Sequence, residues 1–197
     1  MWDFNKYQSH IAIKDEFGVA LTYGELHKEN DKLYAVINRR CLTFCLCTNS
    51  IGSIVGYTAF IQNGIVPVLL NAHLEKELLN NLLYSYNPSY LWVPSEQVEE
   101  FDGMQAVYSA YEYTLLKTAY DKEYGLYPEL CLMLTTSGST GSPKFVRQSY
   151  KNVLANAQSI VQYLELDESE RPITTLPMNY TYGLSIINSH LLVGATI

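Results

Sequence analysis

A chain of 197 residues with 48% hydrophobic and 17% charged content can bury a substantial core, as one domain or two small ones, and does not suggest disorder. A net charge of −7 argues against a basic nucleic-acid footprint, so no nucleic-acid partner is expected. No apolar run approaches the length of a membrane span, and the opening MWDFNKYQSH lacks the basic-then-apolar order of a signal peptide; a cytoplasmic location is the expectation.

Helical and strand-like periods alternate along the chain. LTYGELHKENDKLYAVINRR opens on Thr22 with Glu25 three positions later, a capping box, and Leu26, Leu33, Tyr34 and Ile37 then share a helix face. CLTFCLC is short and β-rich. SIGSIVGYTAFIQNG reads as a second helix closed by Gly64, and IVPVLL as a buried strand. NAHLEKELLNNLLYSYNP is a third helix, with Asn71 as candidate N-cap and Pro88 past its end, followed by the strand SYLWV. The rhythm breaks between Pro94 and Tyr127, which makes 94–128 the candidate internal boundary or crossover. It resumes with LCLMLTT as a strand and SYKNVLANAQSIVQYLEL as a helix capped by Ser149. The apolar face of that helix is Val153, Leu154, Ala157, Ile160, Val161 and Leu164. PITTLP reads as a strand and YGLSIINSHLLVG as a helix up to Gly194. Strands joined through helices by short connections imply an α/β fold: a mostly parallel sheet with helices on both faces.

Cys41, Cys45, Cys47 and Cys131 lie in or beside strand-like runs with neither a CxxC pair nor a histidine at metal-ligand spacing. They read as reduced, buried thiols, and no metal ligands are assigned. Six tyrosines (Tyr108, Tyr111, Tyr113, Tyr120, Tyr124 and Tyr127) crowd one segment, where packed rings with wet hydroxyls are the expected use.

Chemistry concentrates in TTSGSTGSPK, directly after LCLML. Gly138 and Gly141 let consecutive N–H groups turn inward. Thr136, Ser137, Ser139, Thr140 and Ser142 add hydroxyls, and Lys144 places a positive charge where a polyphosphate would lie. A plain solvent-exposed Ser/Gly loop is the alternative. A Walker loop is excluded, because Pro143 and Phe145 stand where that motif needs glycine and a magnesium-binding hydroxyl.

Ser137-Gly138-Ser139-Thr140-Gly141-Ser142-Pro143-Lys144 resembles the signature loop of adenylate-forming enzymes, the group that holds acyl-CoA synthetases, adenylation domains of nonribosomal peptide synthetases and luciferases. That loop usually reads Ser-Gly-Thr-Thr-Gly-x-Pro-Lys-Gly; Phe145 replaces its last glycine. Leu21 to Leu26 is similar to the family's early Leu-Thr-Tyr-x-Glu-Leu, and Asn63 to Val68 to its Ala-Gly-x-x-x-Val-Pro segment. Leu176 to Gly183 resembles its Leu-Pro-x-x-His-x-x-Gly segment, with Tyr180 in the histidine position. Tyr150 also stands where many members carry histidine.

The resemblance implies ATP-dependent carboxylate activation: acid plus ATP gives acyl-adenylate and pyrophosphate, followed by transfer to a thiol of CoA or a carrier protein. Thr136 to Ser142 and Lys144 would hold the β- and γ-phosphates, with Mg²⁺ shielding them, and Tyr180 is the acyl-pocket candidate. Family members continue well past position 197, through the adenine and ribose contacts to a C-terminal domain with the catalytic lysine. The chain is therefore expected to be the N-terminal portion of an AMP-binding domain, with no catalytic residue of its own, little activity alone, and apolar surface that favours self-association. The competing reading is a non-catalytic binding or assembly module, or a phosphate binder without adenylation.

Overall fold

A computed structural model describes residues 1–120, 123–135 and 145–197. After a packed N-terminal segment come β1 (Ile11–Lys14) and β2 (Ala20–Thr22), an antiparallel pair that the periodicity did not reveal. Helix α1 (Tyr23–Ile37) begins at the expected capping box: Glu25 N–H donates to Thr22 Oγ1 at 3.2 Å, and Thr22 N–H donates to Glu25 Oε2 at 2.8 Å. There follow β3 (Leu42–Cys47), α2 (Ile51–Gln62), β4 (Val66–Asn71), α3 (Lys76–Tyr86) and β5 (Tyr90–Pro94). A 3₁₀ turn (Ser95–Glu100) leads to the hairpin β6 (Gln105–Ala110) and β7 (Tyr113–Lys117). The chain then crosses to β8 (Leu130–Thr135), returns as β9 (Phe145–Ser149), and ends in α4 (Tyr150–Leu164) and α5 (Thr181–Val193).

Seven strands among the described residues form one sheet in the order β6-β7-β5-β3-β4-β8-β9. Its centre, β5-β3-β4-β8, is parallel, and the flanking pairings of β7, β6 and β9 are antiparallel. Alternate residues of each strand enter two cores. Cys45, Leu69, Trp92, Leu115 and Leu132 pack with α1, α2, α4 and α5 on one face. Phe44, Val68, Leu91, Leu116 and Met133 pack with α3 on the other. Burial on both faces is why these strands read as continuous apolar runs rather than alternating ones.

The crossover β3-α2-β4 covers one face, and β4-α3-β5 returns over the other, passing behind β3. Right-handed crossovers require this reversal of direction between faces. Helix α2 can lie tight on the sheet because Gly56 has no side chain; a Cβ there would overlap Trp92 Nε1. That indole N–H instead donates to Gly52 O at 2.9 Å, one turn earlier.

Three sequence expectations are corrected. Asn71 does not cap α3: it ends β4, and its Oδ1 accepts from His73 N–H at 2.8 Å, while Glu75 precedes the helix without a side-chain cap. PITTLP forms no strand. Its carbonyls at Thr174 and Leu176 accept from the Asn49 side chain instead of a neighbouring strand. The apolar face of α4 is buried only at Val153 and Ala157; Leu164 is exposed.

The segment 94–127 contributes its hairpin to the same sheet, and its tyrosines serve as tethers. Tyr113 OH donates to Leu46 O at 2.9 Å, Tyr108 OH to Glu29 Oε2 at 2.7 Å, and Tyr124 OH to Tyr86 O at 2.6 Å. Burial pushes the Tyr113 phenol up to about 12. The four cysteines are free and buried, as expected. Cys45 and Cys47 Sγ atoms lie 3.7 Å apart, and their mutual hydrogen bond and burial hold the Cys45 thiol protonated.

Candidate functional site

In an open α/β sheet, ligands sit at the carboxyl ends of the strands where successive connections part to opposite faces. Here the parting lies between β3, which leads to α2, and β4, which leads to α3. Strand β8 is the parallel neighbour of β4, with Val68 opposite Met133 and Leu69 opposite Leu134. The chain leaves that edge at Thr135 and re-enters at Phe145, and these two residues pair across the antiparallel β8–β9 ladder. The stems of the Ser/Gly-rich loop are therefore fixed beside the parting point. The loop itself, with the candidate residues Thr136, Ser137, Gly138, Ser139, Thr140, Gly141, Ser142 and Lys144, lies outside the described residues.

Phe145 explains how the departure from glycine is accommodated. Its ring sits 4.7 Å from Tyr86 of α3 and 6.4 Å from Phe44 of β3, centroid to centroid. The residue that follows Lys144 is thus anchored in the second core, which pins the exit of the loop. Tyr150, the other departure, uses its hydroxyl structurally: it donates to Ile61 O at 3.4 Å, joining the first turn of α4 to the end of α2.

The residue that organises the rest of this edge is Asn49, which the sequence reading passed over. Its Nδ2 donates to Thr174 O at 2.6 Å and Leu176 O at 2.9 Å, and its Oδ1 accepts from Met178 N–H at 3.1 Å. One side chain two residues past the end of β3 thereby holds 174–178 against the same edge. The only sequence signal was an asparagine next to the N-cap Ser50 after a buried strand. Tyr180 follows two residues later. Its N–H donates to Pro177 O at 3.1 Å, its carbonyl accepts from Leu184 N–H at 3.0 Å, and its ring is 46% exposed at the start of α5. Gly183 is needed for this turn, because a Cβ would overlap the carbonyl oxygens of Leu176 and Pro177.

The structure thus brings the loop stems and Tyr180 to one side of the sheet. An apolar groove of about 500 Å³ lies elsewhere: Glu129, Leu130 and Leu42 line it, at the amino ends of β8 and β3, away from Thr135. Among the described residues no cluster of three or more His, Cys, Asp or Glu side chains could hold a metal, so the described part of the edge supplies no metal ligand set. Nor is any helix of the described residues long and apolar enough to cross a membrane.

The chain is 22% identical over 193 residues to the D-alanine–D-alanyl carrier protein ligase of Streptococcus pyogenes serotype M3 (strain SSI-1), covering 93% of this chain and 38% of that ligase. It is 26% identical over 200 residues to the 2-succinylbenzoate–CoA ligase of Oceanobacillus iheyensis, covering 94% of this chain and 40% of that protein. The fold superposes on the AMP complex of O-succinylbenzoate coenzyme A synthetase from Bacillus subtilis with a TM-score of 0.76 at 20% identity, covering all of this chain and 55% of that one. The chain spans about two fifths of the length of the curated relatives it matches. The family model described as AMP-binding enzyme matches residues 2–197, and the chain belongs to that family.

Proposed function

We propose that this chain is the nucleotide-phosphate-binding part of an ATP-dependent carboxylate-activating ligase. Such a ligase joins a carboxylic acid to AMP with release of pyrophosphate, then passes the acyl group to a thiol. The observation that carries the reading is the attachment of the Ser/Gly-rich loop: it runs from the carboxyl end of β8 to a re-entry point locked by Phe145. Backbone N–H groups and hydroxyls from Thr136 to Ser142 would surround the β- and γ-phosphates, and Lys144 would neutralise them. These residue types fit a polyphosphate. Mg²⁺, when bound with ATP, would shield the phosphate charge. Tyr180, presented by the Asn49 clamp, would face the acid. CoA and a carrier-protein thiol are both open as acceptors, in keeping with the names of the two curated relatives. A cytoplasmic setting suits all of these partners.

The chain spans about two fifths of its curated relatives, and the groups that would hold adenine and ribose and catalyse the step are expected outside it. Alone, the chain is expected to release no pyrophosphate from ATP with any acid. An assay of acyl-adenylate formation on the isolated polypeptide checks this, and turnover above background would contradict it.

A further inference from the structure

The apolar groove of about 500 Å³ on the second face of the sheet has no part in the reading above. Leu42, Leu130 and Met133, from β3 and β8, form its floor, and Tyr86, Tyr124 and Tyr127 bring three aromatic rings to its walls. Hydrogen bonds between distant parts of the chain hold these walls in place. Tyr124 OH donates to Tyr86 O at 2.6 Å. Arg40, which follows α1, donates through Nη2 to Tyr127 O at 2.7 Å and to Leu130 O at 2.8 Å. The groove is thus built in advance, so an occupant does not bear the cost of ordering it.

One cation lines the groove. Arg147 of β9 stands opposite Met133 in the β8–β9 ladder, so the two side chains leave the sheet on the same face. Arg147 is exposed, and among the described residues it makes no hydrogen bond or ion pair. The one carboxylate on the lining, Glu129, lies four residues before Met133, about 13 Å along the strand. That separation exceeds the Debye length of about 8 Å at physiological salt, so Glu129 leaves Arg147 unneutralised. Ser149 follows Arg147 by two residues and shares its face. Its Oγ accepts from Asn152 N–H at 3.1 Å, which leaves the hydroxyl hydrogen free to donate.

We propose that this groove binds a small aromatic ring carrying one three-oxygen anionic head, an aryl sulfonate or sulfate. The tyrosine rings favour a flat aromatic body over an aliphatic chain, through offset and edge contacts. The guanidinium fork of Arg147 serves two oxygens and the Ser149 hydroxyl a third, a count that a planar carboxylate does not meet. A groove of this volume lies in the usual range for small-molecule sites, about 300–1,000 Å³. Tyr86 is shared with the loop anchor, its ring lying 4.7 Å from that of Phe145, so an occupant would touch the ring that pins the loop exit. The site goes beyond the adenylation reading: it sits toward the amino ends of β8 and β3 and requires no nucleotide.

The test is NMR titration of the chain labelled with methyl-¹³C methionine, in the absence of ATP. Met133 lines the groove, whereas Met178 lies at the opposite edge beneath the Asn49 side chain, so the two methyl signals separate the sites. Sodium naphthalenesulfonate is the probe, with naphthalenemethanol as the neutral comparison, naphthalenecarboxylate as the planar one and sodium chloride as the ionic-strength control. The expected result is a saturable shift of the Met133 methyl with a Kd on the order of 1 mM and no shift of Met178. The alcohol should bind about tenfold more weakly, and the carboxylate should fall between the two. Arg147→Gln, a change at an exposed position that the fold tolerates, should weaken the sulfonate about tenfold and leave the alcohol unchanged. No saturable shift at Met133, an equal shift at Met178, or shifts reproduced by sodium chloride would each overturn the proposal. So would equal binding of the alcohol or the carboxylate, or unchanged affinity in Arg147→Gln. Because no nucleotide is present, these outcomes are independent of whether the loop binds ATP.

Discussion

Phe145 shows how a single residue can depart from a family pattern and remain structurally coherent. A glycine at this place would leave the exit of the loop free, whereas the phenyl ring contacts Tyr86 and Phe44 in the second core. Phe145→Gly removes those contacts and adds backbone entropy to the unfolded chain, so it should lower stability by about 2 kcal/mol in urea titration. An unchanged midpoint would mean the ring does not anchor the loop. At this scale the sequence was readable wherever a role depends on near neighbours. Thr22 and Glu25 announced their capping box, and Ser149 its cap on Asn152 N–H at 3.1 Å. Asn49 was unreadable because its three partners are more than a hundred residues away in sequence. The packing of Phe145 was unreadable because its partners come from elements that are not adjacent to it in sequence, Phe44 from β3 and Tyr86 from α3.

Among elements, the long periodic helices and the doubly buried strands were legible because burial imposes their pattern. Of the strands that escaped notice, β9 and β6 lie at the two margins of the large sheet, whereas β7 is buried except at Lys117 and was missed despite that run. β9 carries Val146 and Arg147 exposed, and β6 is half-exposed along most of its length, so neither shows a buried run. PITTLP misled in the opposite sense: its apolar, β-branched composition suits a strand, but Asn49 takes its carbonyls and Pro177 closes it off. Asn49→Ala would leave Met178 N–H without that acceptor and release two carbonyls. A loss of about 1–3 kcal/mol follows. Limited proteolysis should then cut between 171 and 180 before global unfolding; unchanged resistance would show that the clamp is not what holds this segment.

Over the whole molecule, one sheet joins a densely buried centre to sparsely covered surroundings. Ile173, Leu176, Tyr180 and Tyr182 are exposed near the start of α5, as are Tyr163 and Leu164 at the end of α4. Exposed apolar groups in such number favour association. Sedimentation over a concentration series should show the chain self-associating, and a single monomeric species at the highest concentration would count against it. The final residues already lie against the small N-terminal sheet: Ile197 N–H donates to Ala12 O at 2.8 Å, and Lys14 N–H donates to Ile197 O at 2.8 Å. The N-terminal segment is tied to helices: Trp2 Nε1–H donates to Asn188 O of α5 at 3.3 Å, and Trp2 O accepts from Gln62 Nε2 of α2 at 3.2 Å.

The most direct measurement is isothermal titration of Mg·ATP into this polypeptide and into its Lys144→Ala variant. Weak binding by the parent chain that disappears in the variant is the predicted result, and it would place the phosphates on the loop between β8 and β9. Equal binding by both, or binding by neither, would contradict a phosphate-holding role for that loop in this chain.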